Sequence, residues 1–298
     1  MLPDSPLHRL RHPAAEAAGV RLFVKRDDLY AWSPGSPLQG NKVRKLSHLL
    51  SAPGLAGSRV VSFGGAYSNH VAALSAAGAR FGFPTRFFIR GEHVRNPVLD
   101  FAAAYGSELT FLSRADYRRK SDPLFLKSLG ITPTETLIPE GGTSRKMLPD
   151  AGKVFLETCA QLGAPPDHFC LSAGTGGTAA AVVQAASGTG TQIEVFPALR
   201  GDWMRSEILG LLSPDPGRPP LSIYPEYAGR GYARFDRRWK LSTPPGAMAL
   251  RADIGEPGLP PLEPVYTAKL FTGLLDRLRR GAYASGSTVV ALHTGGIY

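Results

Sequence analysis

The chain has 298 residues, 43% of them apolar and 19% charged, which suits one large or two ordinary globular domains and excludes a disordered polymer. The net charge of +10 raises nucleic acid as a partner, but the 34 basic residues are scattered, with no zinc-finger spacing, no basic region with heptads and no aromatic RNA motif. No apolar run is long enough to cross a bilayer, and Met1 to Arg11 carries prolines and charges where a signal peptide needs an apolar stretch. We therefore expect a cytoplasmic protein with neither a nucleic acid nor a membrane as partner.

Residues 2–20 read as turn-rich with a short helical patch, and 21–25 alternate as a strand. After Arg26-Asp27-Asp28 comes a loop holding Pro34, Gly35, Pro37 and Gly40. In Gly40-Asn41-Lys42-Val43-Arg44-Lys45-Leu46 a helix begins: Asn41 suits an N-cap, and Val43, Leu46, Leu49 and Leu50 recur at helical spacing. Lys42 falls in the first turn, where the helix dipole disfavours its ammonium form. A lysine that deprotonates easily is what Schiff-base chemistry needs, although the stretch alone better describes a solvated lysine on a surface helix.

From there the period alternates regularly. Strands are expected at 59–63, 86–89, 108–112 and 136–139, with helices at 69–80, from Asn96-Pro97 to Tyr105, and at 117–129. A helix over 150–162 leads to a buried strand at 168–173, then to the Ala/Val helix after Gly174-Thr175-Gly176-Gly177-Thr178. A strand at 192–197, a helix at 203–212, a strand at 221–224, a mostly irregular stretch 227–258, a helix at 265–280 and a last strand at 287–293 complete the chain. Cys159 and Cys170 are too few for a disulfide framework or a zinc site, so free thiols and no metal are expected. The alternation means an α/β fold, and so many strands imply two open parallel twisted sheets with helices on both faces. We expect a large domain of residues 1–44 and 145–298, and a small one of 45–144.

Ligands of such sheets bind at the C-terminal ends of strands, and three turns there draw notice. Gly64-Gly65-Ala66-Tyr67-Ser68-Asn69-His70 joins a strand to a helix start, where N–H groups can hold an anion. Gly174 to Thr178 offers backbone N–H and hydroxyl donors to a phosphate. It has neither the lysine of a Walker A motif nor the spacing of the dinucleotide fingerprint, so a monophosphate is its natural occupant. His293-Thr294-Gly295-Gly296 follows the last strand and is either tied down or a frayed terminus.

Together with Lys25-Arg26-Asp27-Asp28-Leu29 and Pro264-Val265-Tyr266-Thr267, these segments resemble the pyridoxal-phosphate enzymes of the tryptophan-synthase-β fold type (fold type II). Within it the chain is most similar to the branch of aminocyclopropanecarboxylate deaminase and D-cysteine desulfhydrase. The resemblance implies that Lys42 carries the cofactor as a Schiff base, Asn69 meets the ring's phenolic oxygen, and Gly174, Thr175, Gly176, Gly177 and Thr178, with Lys45, hold the phosphate. It implies Ser68 as a catalytic or carboxylate-binding hydroxyl, Tyr67, Ser68, Asn69 and His70 as the substrate turn, and Tyr232 and Tyr266 as active-site tyrosines. Thr267 stands where the deaminases have a glutamate beside the pyridine nitrogen; a neutral hydroxyl makes a weaker electron sink, which suits β-elimination, and Thr294 is a rival for that contact. Tyr67 replaces the family's glutamine and should alter the pocket's size and polarity. The implied activity is that of a lyase or deaminase converting a small amino acid to a 2-oxo acid and ammonia, with the Lys42 amine or a tyrosinate as base. A homodimer is implied too. The rival readings are an amino-acid racemase, a non-catalytic cofactor-binding protein and a nucleotide-binding protein.

Overall fold

Period-2 and period-3.6 stretches build two sheets, each covered on both faces. The structure, a computed structural model, describes all residues except 1, 53, 56 and 245–248. β1 (Leu7–Arg9) pairs antiparallel with β2 (Arg21–Arg26) across the short helix α1 (Pro13–Ala17). After the Pro/Gly loop and α2 (Asn41–Leu50) come β3 (Val60–Gly65), α3 (Asn69–Phe81), β4 (Thr85–Arg90), α4 (Pro97–Ala104) and β5 (Glu108–Leu112). Two short helices, α5 (Arg114–Tyr117) and α6 (Pro123–Ser128), lead to β6 (Thr136–Ile138). These strands form a parallel sheet in the order β5-β4-β3-β6.

The chain continues through α7 (Leu148–Leu162), β7 (His168–Ala173), α8 (Gly177–Ala185), β8 (Gln192–Pro197), α9 (Met204–Leu211) and β9 (Leu221–Ile223). β10 (Lys240–Ser242) and β11 (Arg251–Asp253) make a separate antiparallel ribbon, before α10 (Thr267–Arg279) and β12 (Thr288–His293). The second sheet has the order β1-β2-β12-β7-β8-β9. β12, the last strand in sequence, inserts between β2 and β7, parallel to both.

Strand alternation explains the two-sided burial. In β12, Val290 and Leu292 join the core under α7 and α8, whereas Val289 and Ala291 join the core under α1 and α10. In the smaller sheet Val60, Phe87 and Ile89 face α2, α3 and α4, while Val61, Phe63 and Phe88 face Tyr117 and Phe125 of α5 and α6. Each fully buried Val, Leu, Ile or Phe among them contributes about 1.5–3 kcal/mol relative to exposure.

The expected α/β architecture with two largely parallel sheets is therefore present, with three corrections. β1 was not foreseen and gives the larger sheet one antiparallel edge. The stretch read as irregular from 227 to 258 contains β10 and β11. The helix expected over 117–129 is shorter: α5 already ends at Tyr117, a turn follows, and Pro123 opens α6, capped by Asp122, whose carboxylate accepts from the N–H groups of Leu124 and Phe125. Asn96 caps α4 as expected, with Pro97 in its first turn. Among the described residues no helix is long and apolar enough to cross a membrane.

α2 ties the two sheets together. Its Val43, Leu46 and Leu49 pack into the core of the smaller sheet. On another face Arg44, 3% exposed, donates to both carboxylate oxygens of buried Asp27 at 2.8 and 2.9 Å and to Glu157 of α7 at 2.7 Å. The helix that begins with Asn41 and Lys42 is thus held from both sides.

Candidate active site

A cavity of about 480 Å³ opens where the strand ends of both sheets meet, at Gly65, Arg90 and Ala173, the last residues of β3, β4 and β7, and at Thr294 after β12. Lys42 lines it. Asn41 is not the N-cap expected; that position is Gly40, at φ +62, where a side chain would overlap the carbonyl of Thr294. Asn41 is instead the first helical residue, and its side chain donates to Thr178 Oγ1 at 3.0 Å while accepting from Lys42 Nζ at 2.9 Å. Burial pushes the Lys42 pKa down to about 8 against the opposing field of Glu263. Desolvation leads that shift, a cause that no local stretch of sequence shows.

One turn on, Lys45 is buried and also lines the cavity. Desolvation, and then the charge of Lys42, hold its pKa well below the ordinary lysine value. Its Nζ donates to Thr143 Oγ1 at 2.8 Å, which lies 2.5 Å from Thr175 Oγ1. No carboxylate comes within ion-pairing distance of Lys42 or Lys45 among the described residues. Two lysines without a carboxylate partner therefore face the start of α8, where Gly176 occupies the N-cap without a side-chain cap bond and leaves the first N–H groups of the helix free. The arrangement is built for an anion with two charges. Ser172 Oγ, also at the cavity wall, is buried without a partner.

Across the cavity the Ser68 hydroxyl does not cap α3, although Ser68 occupies its N-cap position, and so remains available to a ligand. Asn69 Oδ1 accepts from the Tyr298 hydroxyl at 3.3 Å, leaving its amide hydrogens as donors. His70 Nε2 lies 2.8 Å from Ser62 Oγ, which spends its own hydrogen on the Ile138 carbonyl. The imidazole is therefore the Nε2–H tautomer with an unpartnered Nδ1, and burial holds it neutral by lowering its pKa well below the usual value.

Tyr232 and Tyr266 close the cavity with ring centroids 6.4 Å apart. Each lies on a glycine: a Cβ at Gly65 would come within 3.1 Å of the Tyr232 ring, and one at Gly174 within 3.0 Å of the Tyr266 ring. Burial raises both phenol pKa values above 10, so neither is a ready tyrosinate and both are proton donors. Tyr232 sits between Gly231 and Ala233, the latter at φ +50, a left-handed conformation unusual for alanine. That segment is held by Lys269 of α10, whose Nζ donates to the carbonyls of Ala198, Ala228 and Gly231 at 2.8, 3.0 and 2.7 Å.

Two of the expected site residues lie elsewhere. Thr267 is fully buried and does not line the cavity; its hydroxyl donates to the carbonyl of Glu263 and accepts from that residue's N–H. Thr294 does line it. Tyr67 lines a small separate pocket with Pro97, Val98 and Tyr298, because its side chain leaves the turn on the opposite side from Ser68. The segment after β12 is tied down rather than frayed. Gln39 Nε2 donates to the carbonyl of Ile297 at 2.7 Å, and the N–H of Ala249 donates to that of Tyr298 at 2.9 Å. Arg90, Lys120, Glu140, Thr143 and Ser172 also line the cavity, unforeseen because their neighbours in sequence carry no motif. Glu263 was also missed: it accepts the N–H groups of Val265 and Tyr266, both at 2.8 Å, and burial raises its pKa to about 7.

A desolvated lysine facing an anion cradle, at the C-terminal ends of parallel strands, defines an enzyme that holds a phosphorylated aldehyde through its lysine. The chain belongs to the pyridoxal-phosphate dependent enzyme family, which it matches over residues 2–238. Its cofactor is pyridoxal phosphate. A Thermotoga maritima protein, whose own assignment as a 1-aminocyclopropane-1-carboxylate deaminase is provisional, is 29% identical over all of this chain and 95% of the relative. The 1-aminocyclopropane-1-carboxylate deaminase of Burkholderia ambifaria is 28% identical over 99% of this chain and 91% of its own length. The crystal structure of an ACC deaminase homologue superposes with a TM-score of 0.76 at 24% identity, over 99% of this chain and 90% of the other, and so shares the fold.

The residues present fit that cofactor. Lys42 would hold it covalently; Lys45 and the loop from Gly174 to Thr178 would take its phosphate; Asn69 would donate to its ring oxygen. Ser172 Oγ and His70 Nδ1, both without partners, offer it further polar contacts.

Proposed function

We propose that the chain is a lyase that deaminates a small amino acid to a 2-oxo acid and ammonia, in the manner of an aminocyclopropanecarboxylate deaminase or a D-cysteine desulfhydrase. The observation that carries this reading is the pair of desolvated lysines, Lys42 and Lys45, facing the Gly174 loop without a carboxylate partner. Pyridoxal phosphate bound there supplies the electron sink that stabilises negative charge at the substrate α-carbon.

This chain's own residues do the rest. With a pKa near 8, the Lys42 amine is neutral in an appreciable fraction of molecules near pH 7.5, and it serves as nucleophile toward the cofactor and afterwards as base toward the α-proton of substrates that carry one, which aminocyclopropanecarboxylate does not. Tyr232 and Tyr266 stay protonated and deliver a proton to the departing substituent or opened ring, so the base is the lysine and not a tyrosinate. The Ser68 hydroxyl and the free N–H groups at the start of α3 receive the substrate carboxylate. Thr294 is the hydroxyl we assign to the pyridine nitrogen, and its neutrality favours substrates with a good leaving group. A cytoplasmic homodimer accompanies this reading, on the strength of the resemblance, and sedimentation at defined concentration tests the dimer.

The purified protein with pyridoxal phosphate should show a near-visible absorption band, and borohydride should fix the cofactor on the peptide carrying Lys42. Release of 2-oxo acid should then be screened over D- and L-amino acids and aminocyclopropanecarboxylate. A protein that takes up no cofactor ends the reading; racemisation without oxo-acid release replaces it with a racemase.

A further inference from the structure

Beyond the groups assigned to the phosphate and one carboxylate, the cavity wall holds two further basic side chains, against the carboxylates of Glu140 and Glu207. Lys45 and the Gly174 loop serve the phosphate, and the Ser68 turn receives the α-carboxylate, on the reading above. Arg90 and Lys120 line the same cavity in addition. Arg90 ends β4 beside Gly65, its register partner, so its side chain emerges next to the substrate turn. Its guanidinium lies 5.9 Å from the ring centroid of Tyr232 and 6.0 Å from that of Tyr117. No carboxylate approaches it within 4.0 Å among the described residues.

Lys120 stands 5.2 Å from the same Tyr117 ring and 3.4 Å from Glu140. Glu140 thus answers one of the two cations, and Arg90 is left to solvent or to a ligand. The positive field of Arg90 reaches the site, since it opposes the rise in the Tyr266 pKa. A planar guanidinium beside a cavity is matched by a carboxylate, which it binds through two parallel hydrogen bonds.

We propose that Arg90, assisted by Lys120, forms a second anion subsite, and that the preferred substrates carry a carboxylate on the side chain as well as on the α-carbon. The proposal rests on the lyase reading and names its substrate class. It concerns binding alone and adds no chemical step.

The test uses the holoenzyme and matched acid and amide pairs. Aspartate against asparagine and glutamate against glutamine, each in both configurations, are titrated while the cofactor's absorption is followed. The acid of at least one pair should bind roughly tenfold more tightly than its amide, as one charge-assisted contact predicts. That advantage should shrink with added salt and collapse in Arg90→Met. Lys120→Met should reduce it in part. Amides that bind as tightly as the acids overturn the proposal, as does a holoenzyme whose absorption no acidic amino acid changes. An equal loss of acid and amide affinity in Arg90→Met also overturns it, because the arginine would then hold the α-carboxylate. These comparisons on the unsubstituted protein need no variant to fold. Failure of the lyase reading is a separate result: no absorption band before any amino acid is added, or racemisation without release of 2-oxo acid.

Discussion

At the scale of single residues, the site is governed by desolvation. Lys42 is a nucleophile at ordinary pH because the cavity wall deprives its ammonium of water. Lys42→Ala should abolish covalent cofactor attachment, checked by peptide mapping after borohydride. In the native enzyme the rate should rise with pH as the free amine deprotonates near 8; a profile flat from pH 6 to 10 would contradict that assignment. Lys269 acts at one remove, through the three carbonyls that shape the Tyr232 segment. Lys269→Met leaves those acceptors unsatisfied at about 1–3 kcal/mol each, so the melting temperature should fall and Tyr232 should be misplaced. Adding Tyr232→Phe should then cost little further activity. Fully additive losses would break the proposed link.

At the scale of elements, α2 and α4 show two kinds of anchoring. The Asn96 side chain accepts from the N–H groups of both Val98 and Leu99, at 3.0 and 3.1 Å, so Asn96→Ala should destabilise the protein by about 1 kcal/mol in urea titration. α2 is held by a buried ion network, and removing one partner strands a charge in low dielectric. Arg44→Met should cost about 3–5 kcal/mol of stability. It should also weaken cofactor retention, because Lys42 and Lys45 ride on the same helix. A variant with native stability would show that Asp27 and Glu157 find other partners. The capping of α4 is legible in Asn96-Pro97 because a cap is a local interaction. The network of Arg44 was not, because its partners lie 17 and 113 residues away.

At the scale of the whole molecule, the two sheets meet at a cavity that concentrates unpaired cations. Lys42 and Lys45 have folded pKa values below their unfolded ones. Their contribution to stability is therefore fully present above about pH 10.5 and is lost as pH falls through the folded values. A bound dianion offsets that loss. Pyridoxal phosphate, and more weakly inorganic phosphate, should raise the melting temperature, by the equivalent of about 2.7 kcal/mol at a hundred times the dissociation constant. Phosphate that leaves the transition unmoved at every concentration would show that the loop does not take it.

The amino-acid sequence by itself determined most of the order of strands and helices, though not β1, β10 or β11, together with the two-sheet α/β class, the lysine at the start of a helix and the glycine loop before α8. Each of these is written in periodicity, caps and turn residues within a few positions. Tertiary structure alone decided which groups reach the cavity. Thr267 was the first candidate and Thr294 its rival until packing turned the first toward Glu263 and left the second on the wall. Tyr67 is next to Ser68 in the chain yet lines another pocket, since a turn sends neighbouring side chains to opposite sides. The antiparallel edge strand β1 and the placing of β12 between β2 and β7 depend on pairings across most of the chain. The depressed pKa of Lys42 likewise depends on water excluded by residues from many segments, which no local pattern encodes.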